Sequence, residues 1–323
     1  MRVIVTGGAG FIGSHIVDAL LSRGHQPFVV DDLSSGRREN VPDSVPLFEV
    51  DICDRDGLSS VFDEVKPDAV CHQAAQMSVS VSVREPAQDA QVNVLGLLNV
   101  FDSAVRVGSQ RIVIAASGGV LYGDVSEPAE ETHTAAPISP YGISKWVGEK
   151  YLEFYTAAKD VKGIALRYSN VYGPRQNPHG EAGVVAIFSQ MMLAGNAPTI
   201  HGDGSNVRDY VYVGDVAHAN ILALESDISD EFVALNIGTA QPTDVNMLVS
   251  IIQQNCQSCW EQSGKTSQVP QAVHGPPRDG DLQSSLISSR KIAELMNWTP
   301  KTTIADGLKQ TVEWFSDQTN ESN

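Results

Sequence analysis

The stretch "VIVTGGAGFIG", residues 3–13, begins as a short apolar run, breaks into glycines, and continues into a segment whose Ile12, Ile16, Ala19 and Leu20 recur at helical spacing. Gly7-x-x-Gly10-x-x-Gly13 therefore lies where a strand hands over to a helix N-terminus. Free backbone amides at such a terminus can receive a pyrophosphate, and glycines let it come close. An ordinary tight turn can look the same, so the reading depends on what surrounds it. Outward from this loop, "PFVVD" (27–31), "PLFEVD" (46–51), "DAVCHQ" (68–73), "RIVIAAS" (111–117) and "KGIALRYSNVYG" (162–173) alternate with helical patterns. Apolar strands without in-out alternation, joined by helices, predict an α/β fold in which a parallel sheet is covered on both faces.

The fold expected is thus a doubly wound parallel Rossmann sheet with a smaller α/β substrate-binding lobe. Residues 1–173 form the dinucleotide-binding part, joined by 208–240, where "RDYVYVGD" and "ALNIG" return to it. The lobe takes 174–207 and 241–316, with a hairpin-like "PTIHGDGSNVRDYVYVGD" and a proline-rich loop at 269–283, and 317–323 form a polar tail. Ligands of open α/β sheets sit beyond the carboxyl ends of the strands, so the loops there are the ones to inspect.

The chain has 323 residues, 42% of them hydrophobic, and a formal net charge of -17. That balance argues against a nucleic-acid footprint, which needs clustered Lys and Arg. An anionic ligand must then be met by individually placed cations. No apolar run is long enough for a membrane span and the N-terminus lacks a signal-peptide pattern, so a cytoplasmic location is expected. The four cysteines, Cys53, Cys71, Cys256 and Cys259, make no disulfide framework. Cys256-Gln-Ser-Cys259 has metal or redox spacing but lacks a second ligand pair, and it reads as a helix fraying into a loop, with no metal site.

Asp31 ends the second strand eighteen residues after Gly13. A carboxylate there accepts from a ribose diol and repels a 2′-phosphate, which favours NAD over NADP. Asp32 beside it is the competing candidate. Asp51 and Ile52 close the third strand and are placed at the adenine. Ser139-Pro140 is a helix start, so Tyr141 and Lys145 of "YGISK" stand one turn apart on one face. A phenol titrates near pH ~10 unless an ammonium, a helix N-terminus or a cationic ring lowers it. Ser117 supplies a hydroxyl at the end of its strand, and Gly118-Gly119 after it mark a close approach by a ligand or by packing. Strict strand alternation would turn Ser117 away from the site.

Together the glycine loop, "HQAA" (72–75), Asn93 in "NVLG", "YGISK", "LRYSNVYGPRQ" (166–176), "VRDYVYVGDVA" (207–217) and "PPRDGD" (276–281) resemble the extended short-chain dehydrogenase/reductase superfamily. More narrowly they are similar to its UDP-glucose 4-epimerase group, in order over nearly the whole chain. The resemblance implies NAD held as a prosthetic group, with Gly7, Gly10, Phe11, Ile12, Gly13, Asp31, Asp51, Ile52, Ala74, Ala75, Asn93, Tyr141, Lys145 and Tyr168 around it. It implies Tyr141 as base, Lys145 as its partner, and a Ser or Thr hydroxyl four residues before the tyrosine of "YG". That place is Gly118 here, and Ser117, one step earlier, takes the role. A UDP-sugar is implied at Asn170, Arg208, Arg278 and Asp281, beneath Gly183, Val184, Val185 and Phe188. Ser285 falls where side-chain bulk limits N-acetylated sugars.

Dehydratases of the superfamily carry an Asp-Glu pair where this chain has two glycines, so 4-epimerisation of UDP-glucose and UDP-galactose, extended to the N-acetylhexosamines, is the leading expectation. A UDP-glucuronate 4-epimerase, a nucleotide-sugar oxidoreductase and a silent dinucleotide-binding scaffold are the alternatives. The resemblance also implies a homodimer through helices around 90–107 and 141–158. His179 and His201 read as structural.

Overall fold

The protein is described from a computed structural model over residues 1–178, 183–278 and 280–321. His179 lies outside the described residues. In chain order the first half contains β1 (Arg2–Thr6), α1 (Phe11–Ser22), β2 (Gln26–Asp31), β3 (Leu47–Glu49), α2 (Arg55–Val65), β4 (Ala69–His72), α3 (Val79–Arg84), α4 (Pro86–Ala90), a π-helical turn over Gln91–Gly96, α5 (Leu97–Val107) and β5 (Arg111–Ser117). Then come α6 (Pro140–Ala158), β6 (Lys162–Tyr168), β7 (Asn170–Tyr172), α7 (Val184–Leu193), β8 (Thr199–His201), β9 (Val207–Tyr212), α8 (Val213–Glu225) and β10 (Phe232–Ile237). The chain finishes with β11 (Pro242–Asp244), α9 (Val245–Gln262), β12 (Val273–Gly275), β13 (Ser284–Ser285), α10 (Arg290–Met296) and α11 (Ile304–Glu321).

Seven strands form one sheet in the order β3-β2-β1-β4-β5-β6-β10, every pair parallel. The order reverses between β1 and β4, so a crevice opens at their carboxyl ends. Side chains from alternate strand positions feed two cores. Val3, Val5, Val113 and Leu166 pack with α1 and α8 on one face, and Ile4, Ile112, Ile114 and Ala165 pack with α2 and α5 on the other. Because both faces are covered, these strands lack the in-out alternation of a half-exposed sheet.

Several readings of the sequence need correction. "KGIALRYSNVYG" is two strands, since the chain leaves the large sheet at Ser169 and β7 pairs with β9 in a separate four-stranded sheet. The expected hairpin is absent among the described residues. β8 pairs with β12, while β9 pairs antiparallel with β11 and parallel with β13 and β7. β9 thus stays with the small sheet, and α8 and β10 return to the large one. The "CQSC" segment does not fray: α9 continues through it, placing Cys256 and Cys259 in the lobe core with Leu248, Ile252 and Trp260. Residues three apart share a helix face, so this spacing reflects packing. No group of His, Cys, Asp or Glu among the described residues could hold a metal. Helix α11 runs on to Glu321, into the stretch read as tail. No helix among the described residues is long and apolar enough to cross a membrane.

Helix α6 is tied to the sheet beneath it. Arg167 of β6 meets Glu149 of α6 at 2.7 Å in a buried ion pair and donates to the Tyr122 hydroxyl at 2.8 Å. Tyr122 in turn donates to Asn236 Oδ1 of β10 at 2.8 Å.

Candidate active site

The glycine loop lies at the crevice. Gly7 has φ +67°, a conformation that favours glycine, and a Cβ there would meet the Ala74 nitrogen at 2.6 Å. At Gly13 a Cβ would come within 2.1 Å of the Gly7 carbonyl oxygen, so helix α1 packs directly on the loop. Gly10 is less confined, its imagined Cβ meeting only that same oxygen, at 3.2 Å. The N–H groups of Phe11 and Ile12 open the helix without a partner inside it, as an end able to receive an anion requires. Asp31 Oδ2 accepts from Ala9 N and Oδ1 from Leu33 N, both at 2.9 Å, so its carboxylate lies against the loop. Asp32 instead accepts from the backbone and hydroxyl of Ser34 in an exposed turn. These features fit a dinucleotide with a ribose diol.

Around the loop, Ala74 and Ala75 follow β4 at the switch point, Ala74 against Gly7. Ile52 is buried beneath Gly96, whereas Asp51 is exposed and accepts from Cys53 N at 2.8 Å in a local turn. Two residues expected to touch the cofactor are engaged elsewhere. The Tyr168 hydroxyl is buried against Asn220 and Gln73. The Asn93 amide is taken up by protein: Oδ1 accepts from Gln76 N, and Nδ2 faces Gln76 O, Asp89 Oδ1 and Ser144 Oγ.

Ser139 caps α6 by accepting from Gly142 N at 3.1 Å, and Pro140 opens the helix, which sets Tyr141 in its first turn. The Ser117 hydroxyl reaches the Tyr141 phenol while the residue stays paired with Tyr168 as the last position of β5. Lys145 Nζ donates to Ala115 O at 3.0 Å and stands 5.9 Å from the centre of the Tyr141 ring. Burial, joined by the carboxylate of Asp89, pushes the Tyr141 phenol up to about 12, against the bond from Ser117. Burial also lowers Lys145 to about 8, opposed by Asp89. The sequence predicted an acidified phenol; in the protein by itself desolvation wins. The two glycines beyond Ser117 differ. A Cβ at Gly118 would strike Ile287 at 2.8 Å, while one at Gly119 would meet nothing within 4 Å.

The small sheet gathers Asn170, Arg208 and Ser285 of the expected substrate residues on β9 and the strands paired with it. Ser285 pairs in register with Arg208, and Asn170 with Tyr210. Two residues along a strand is about 7 Å. Arg208 Nη2 stands 3.8 Å from Asp281, and Asn170 Nδ2 donates to Asp209 O at 3.1 Å. Asp209 itself points inward and accepts from Thr239 and Ala240. Ser285 Oγ donates to Gly119 O at 3.1 Å, which joins this sheet to the strand end carrying Ser117. Arg278 is exposed on the loop between β12 and β13. Val185 and Phe188 pack into the lobe core with Leu248 and Ile252, leaving Gly183 and Val184 nearer the surface. His201 Nδ1 is 3.2 Å from Pro276 O.

Sequence reasoning missed two residues. Ser169 Oγ and Gln176 Oε1 are buried without a hydrogen-bond partner, Ser169 at the step from β6 to β7 and Gln176 just after β7. Buried polar atoms are seldom left so, and a ligand is one remedy. The signal available was their place within "RYSNVYGPRQ".

A glycine loop at a parallel-sheet switch point, beside a helix that carries Tyr and Lys four apart, defines an extended short-chain dehydrogenase/reductase. The chain belongs to the NAD dependent epimerase/dehydratase family, which it matches over residues 3–238. It is 40% identical to the UDP-glucose 4-epimerase of Mycolicibacterium smegmatis over 321 residues, 98% of each chain. Two solved structures are similar throughout: UDP-glucose 4-epimerase from Thermotoga maritima with UDP-glucose, 44% identical with TM-score 0.91 over 99% of this chain and 100% of that one, and the Thermus thermophilus enzyme in complex with NAD, 46% identical with TM-score 0.89 over 98% and 99%.

Proposed function

We propose that Tyr141, Lys145 and Ser117 carry out the 4-epimerisation of a UDP-hexose, with UDP-glucose and UDP-galactose as the pair interconverted. The enzyme is an NAD-dependent epimerase. The observation that carries the site assignment is the 3.1 Å bond from Ser285 to Gly119 O, which brings β9 and its paired strands, with Arg208 and Asn170, against the strand end where Ser117 meets Tyr141. Gly7, Gly10, Gly13 and Asp31 hold the cofactor. When bound, NAD supplies the hydride acceptor and donor at carbon four, and in its oxidised form a positive charge beside the phenol.

Tyr141 takes the proton of the sugar's 4-hydroxyl and later returns it, so no proton is gained or lost over a cycle. Ser117 donates to the reacting oxygen and fixes it relative to the phenol. Lys145, facing the ring, favours the phenolate. Bringing a phenol from about 12 to neutrality takes several kcal/mol, at ~1.4 kcal/mol per pKa unit. Arg208 grips the diphosphate with a fork that stays charged, so the nucleotide holds while the sugar turns. Gly119 leaves open space for that turn.

The test is incubation of the protein with UDP-galactose, following products by NMR and the cofactor by its reduced absorbance. Formation of UDP-glucose with no net NADH is expected. Stoichiometric NADH would instead mark an oxidoreductase, and no turnover a scaffold. Ser285 bears on sugar size: Ser285→Tyr is expected to lower kcat/KM for UDP-N-acetylglucosamine about 10–100-fold relative to UDP-glucose, the range for misfit in a pocket. A kcat/KM ratio unchanged from the parent would remove Ser285 from the sugar pocket.

The homodimer is supported by Leu95, Tyr151 and Phe154, exposed apolar side chains on the π-helical turn and α6. Sedimentation of the parent and of Phe154→Glu should give a dimer and a monomer respectively.

A further inference from the structure

One buried carboxylate beside the reacting pair has no part in the mechanism above. Asp89 is 1% exposed, on the short helix α4 that packs against α6. Its Oδ1 accepts from Gln76 Nε2 at 2.8 Å and from Asn93 Nδ2 at 3.0 Å. The same Asn93 Nδ2 reaches Ser144 Oγ at 3.3 Å, and Ser144 donates to Tyr141 O at 3.0 Å. Asp89 is thus one amide away from the helical turn that bears both Tyr141 and Lys145. Asn93 is held in a π-helical turn, a distortion often found at functional sites. The backbone there widens just where the side chain must serve Gln76, Asp89 and Ser144 together.

Resting on the reading of Tyr141 as base, we propose that Asp89 is a positioning residue that sets the charge of the site, keeping Lys145 an ammonium and Tyr141 a neutral phenol until a cation binds beside them. A lysine placed against a strand end, with a backbone carbonyl for its bond, needs a counter-charge to remain ionised. A carboxylate supplies it and also opposes a second anion nearby. Burial already raises the phenol and Asp89 adds to it, so positive charge arriving with the oxidised cofactor has both to overcome, which ties proton removal to the presence of a hydride acceptor. The directions at Tyr141 and Lys145 agree, since Asp89 raises both.

The other groups facing the pair carry no compensating charge. His72 of β4 is buried, bonded to Thr6, and pushed down to about 3, so it is neutral. Ser117 of β5 does not ionise. Tyr168 of β6 is raised by burial. Arg84 of α3 and Glu85, beside α4, are exposed to solvent.

The experiment is the pH profile of kcat in the holoenzyme for parent, Asp89→Asn and Asp89→Glu, with an ultraviolet titration of the Tyr141 phenol taken as the difference from Tyr141→Phe. Asp89→Asn keeps the acceptor oxygen and removes the charge. Both limbs of its profile, and the phenol titration, should move to lower pH by roughly one unit. Asp89→Glu should leave both limbs in place. A lower kcat with unmoved limbs would reduce Asp89 to packing and overturn the proposal. Should Asp89→Asn fail to fold, Asp89→Ala repeats the charge removal with a smaller side chain and the same expected displacement. The titration separates the two readings: a phenol that shifts in Asp89→Asn while Tyr141→Phe remains active sinks Tyr141 as base and leaves the electrostatic role of Asp89 standing.

Discussion

Tyr141→Phe is expected to lower kcat for UDP-galactose by about 10³-fold, within the range for loss of a positioned general base, while leaving the bound NAD content and the melting temperature near those of the parent. The phenol oxygen bonds to Ser117 and the ring packs beneath Lys145. Phenylalanine keeps the ring and its packing, so the change falls on the proton alone. KM should change little, because on the proposed reading the nucleotide would be held by Arg208 and Asn170 on the small sheet, away from this helix. The measurement is steady-state kinetics with NAD counted after denaturation. A variant with kcat within tenfold of the parent would mean that another group takes the proton, and the geometry offers no second candidate of the right kind: His72 is turned to Thr6 and neutral, and Lys145 is spent on Ala115 O.

The parts of this site that sequence could reach are those written in short-range pattern. A strand, a glycine-rich loop and a helix are contiguous, so that local form follows from residues 3–13 and its reading as a cofactor loop from the strands that follow, and the Ser139-Pro140 start with Tyr141 and Lys145 four apart needs only helix geometry. The rest depends on pairings between distant segments. Nothing local says that β9 shares its edges with β7, β11 and β13, and so gathers Asn170, Arg208 and Ser285; that register exists only once residues 170, 208, 243 and 285 are brought together. The break at Ser169 was hidden because its neighbours on both sides are strand formers. Asp89 was invisible for a related reason. In "PAQDAQVN" it reads as a solvated helix residue, and only the return of the chain at Gln76, with α6 laid over both, makes it a buried charge. At Cys256 and Cys259 the reading of no metal site comes with a fraying helix, and the helix instead continues because both cysteines face the lobe core.

Gly13→Ala is expected to abolish dinucleotide retention, with NAD affinity down at least 100-fold, and to destabilise the fold as well. The reason is steric and local. The added Cβ would lie 2.1 Å from the Gly7 carbonyl oxygen and 2.8 Å from its carbon, so the Gly7 peptide must move. It has little room to do so. Gly7 N is bonded to Val30 O at 2.8 Å, Gly7 O accepts from Gly10 N at 3.1 Å, and the residue's far side rests on Ala74. Shifting that peptide either lifts the first turn of α1 or pushes the loop into the crevice, and each displaces the amides that would meet the pyrophosphate. Forcing atoms into a packed site costs about 1–3 kcal/mol or more, which a melting curve will register. Gly10→Ala separates anion binding from folding, because its Cβ would touch only Gly7 O, at 3.2 Å. It should lose NAD affinity while melting within a few degrees of the parent. If Gly13→Ala instead retains NAD through gel filtration and dialysis, helix α1 does not rest on the loop as described, and the pyrophosphate seat must lie elsewhere on the crevice.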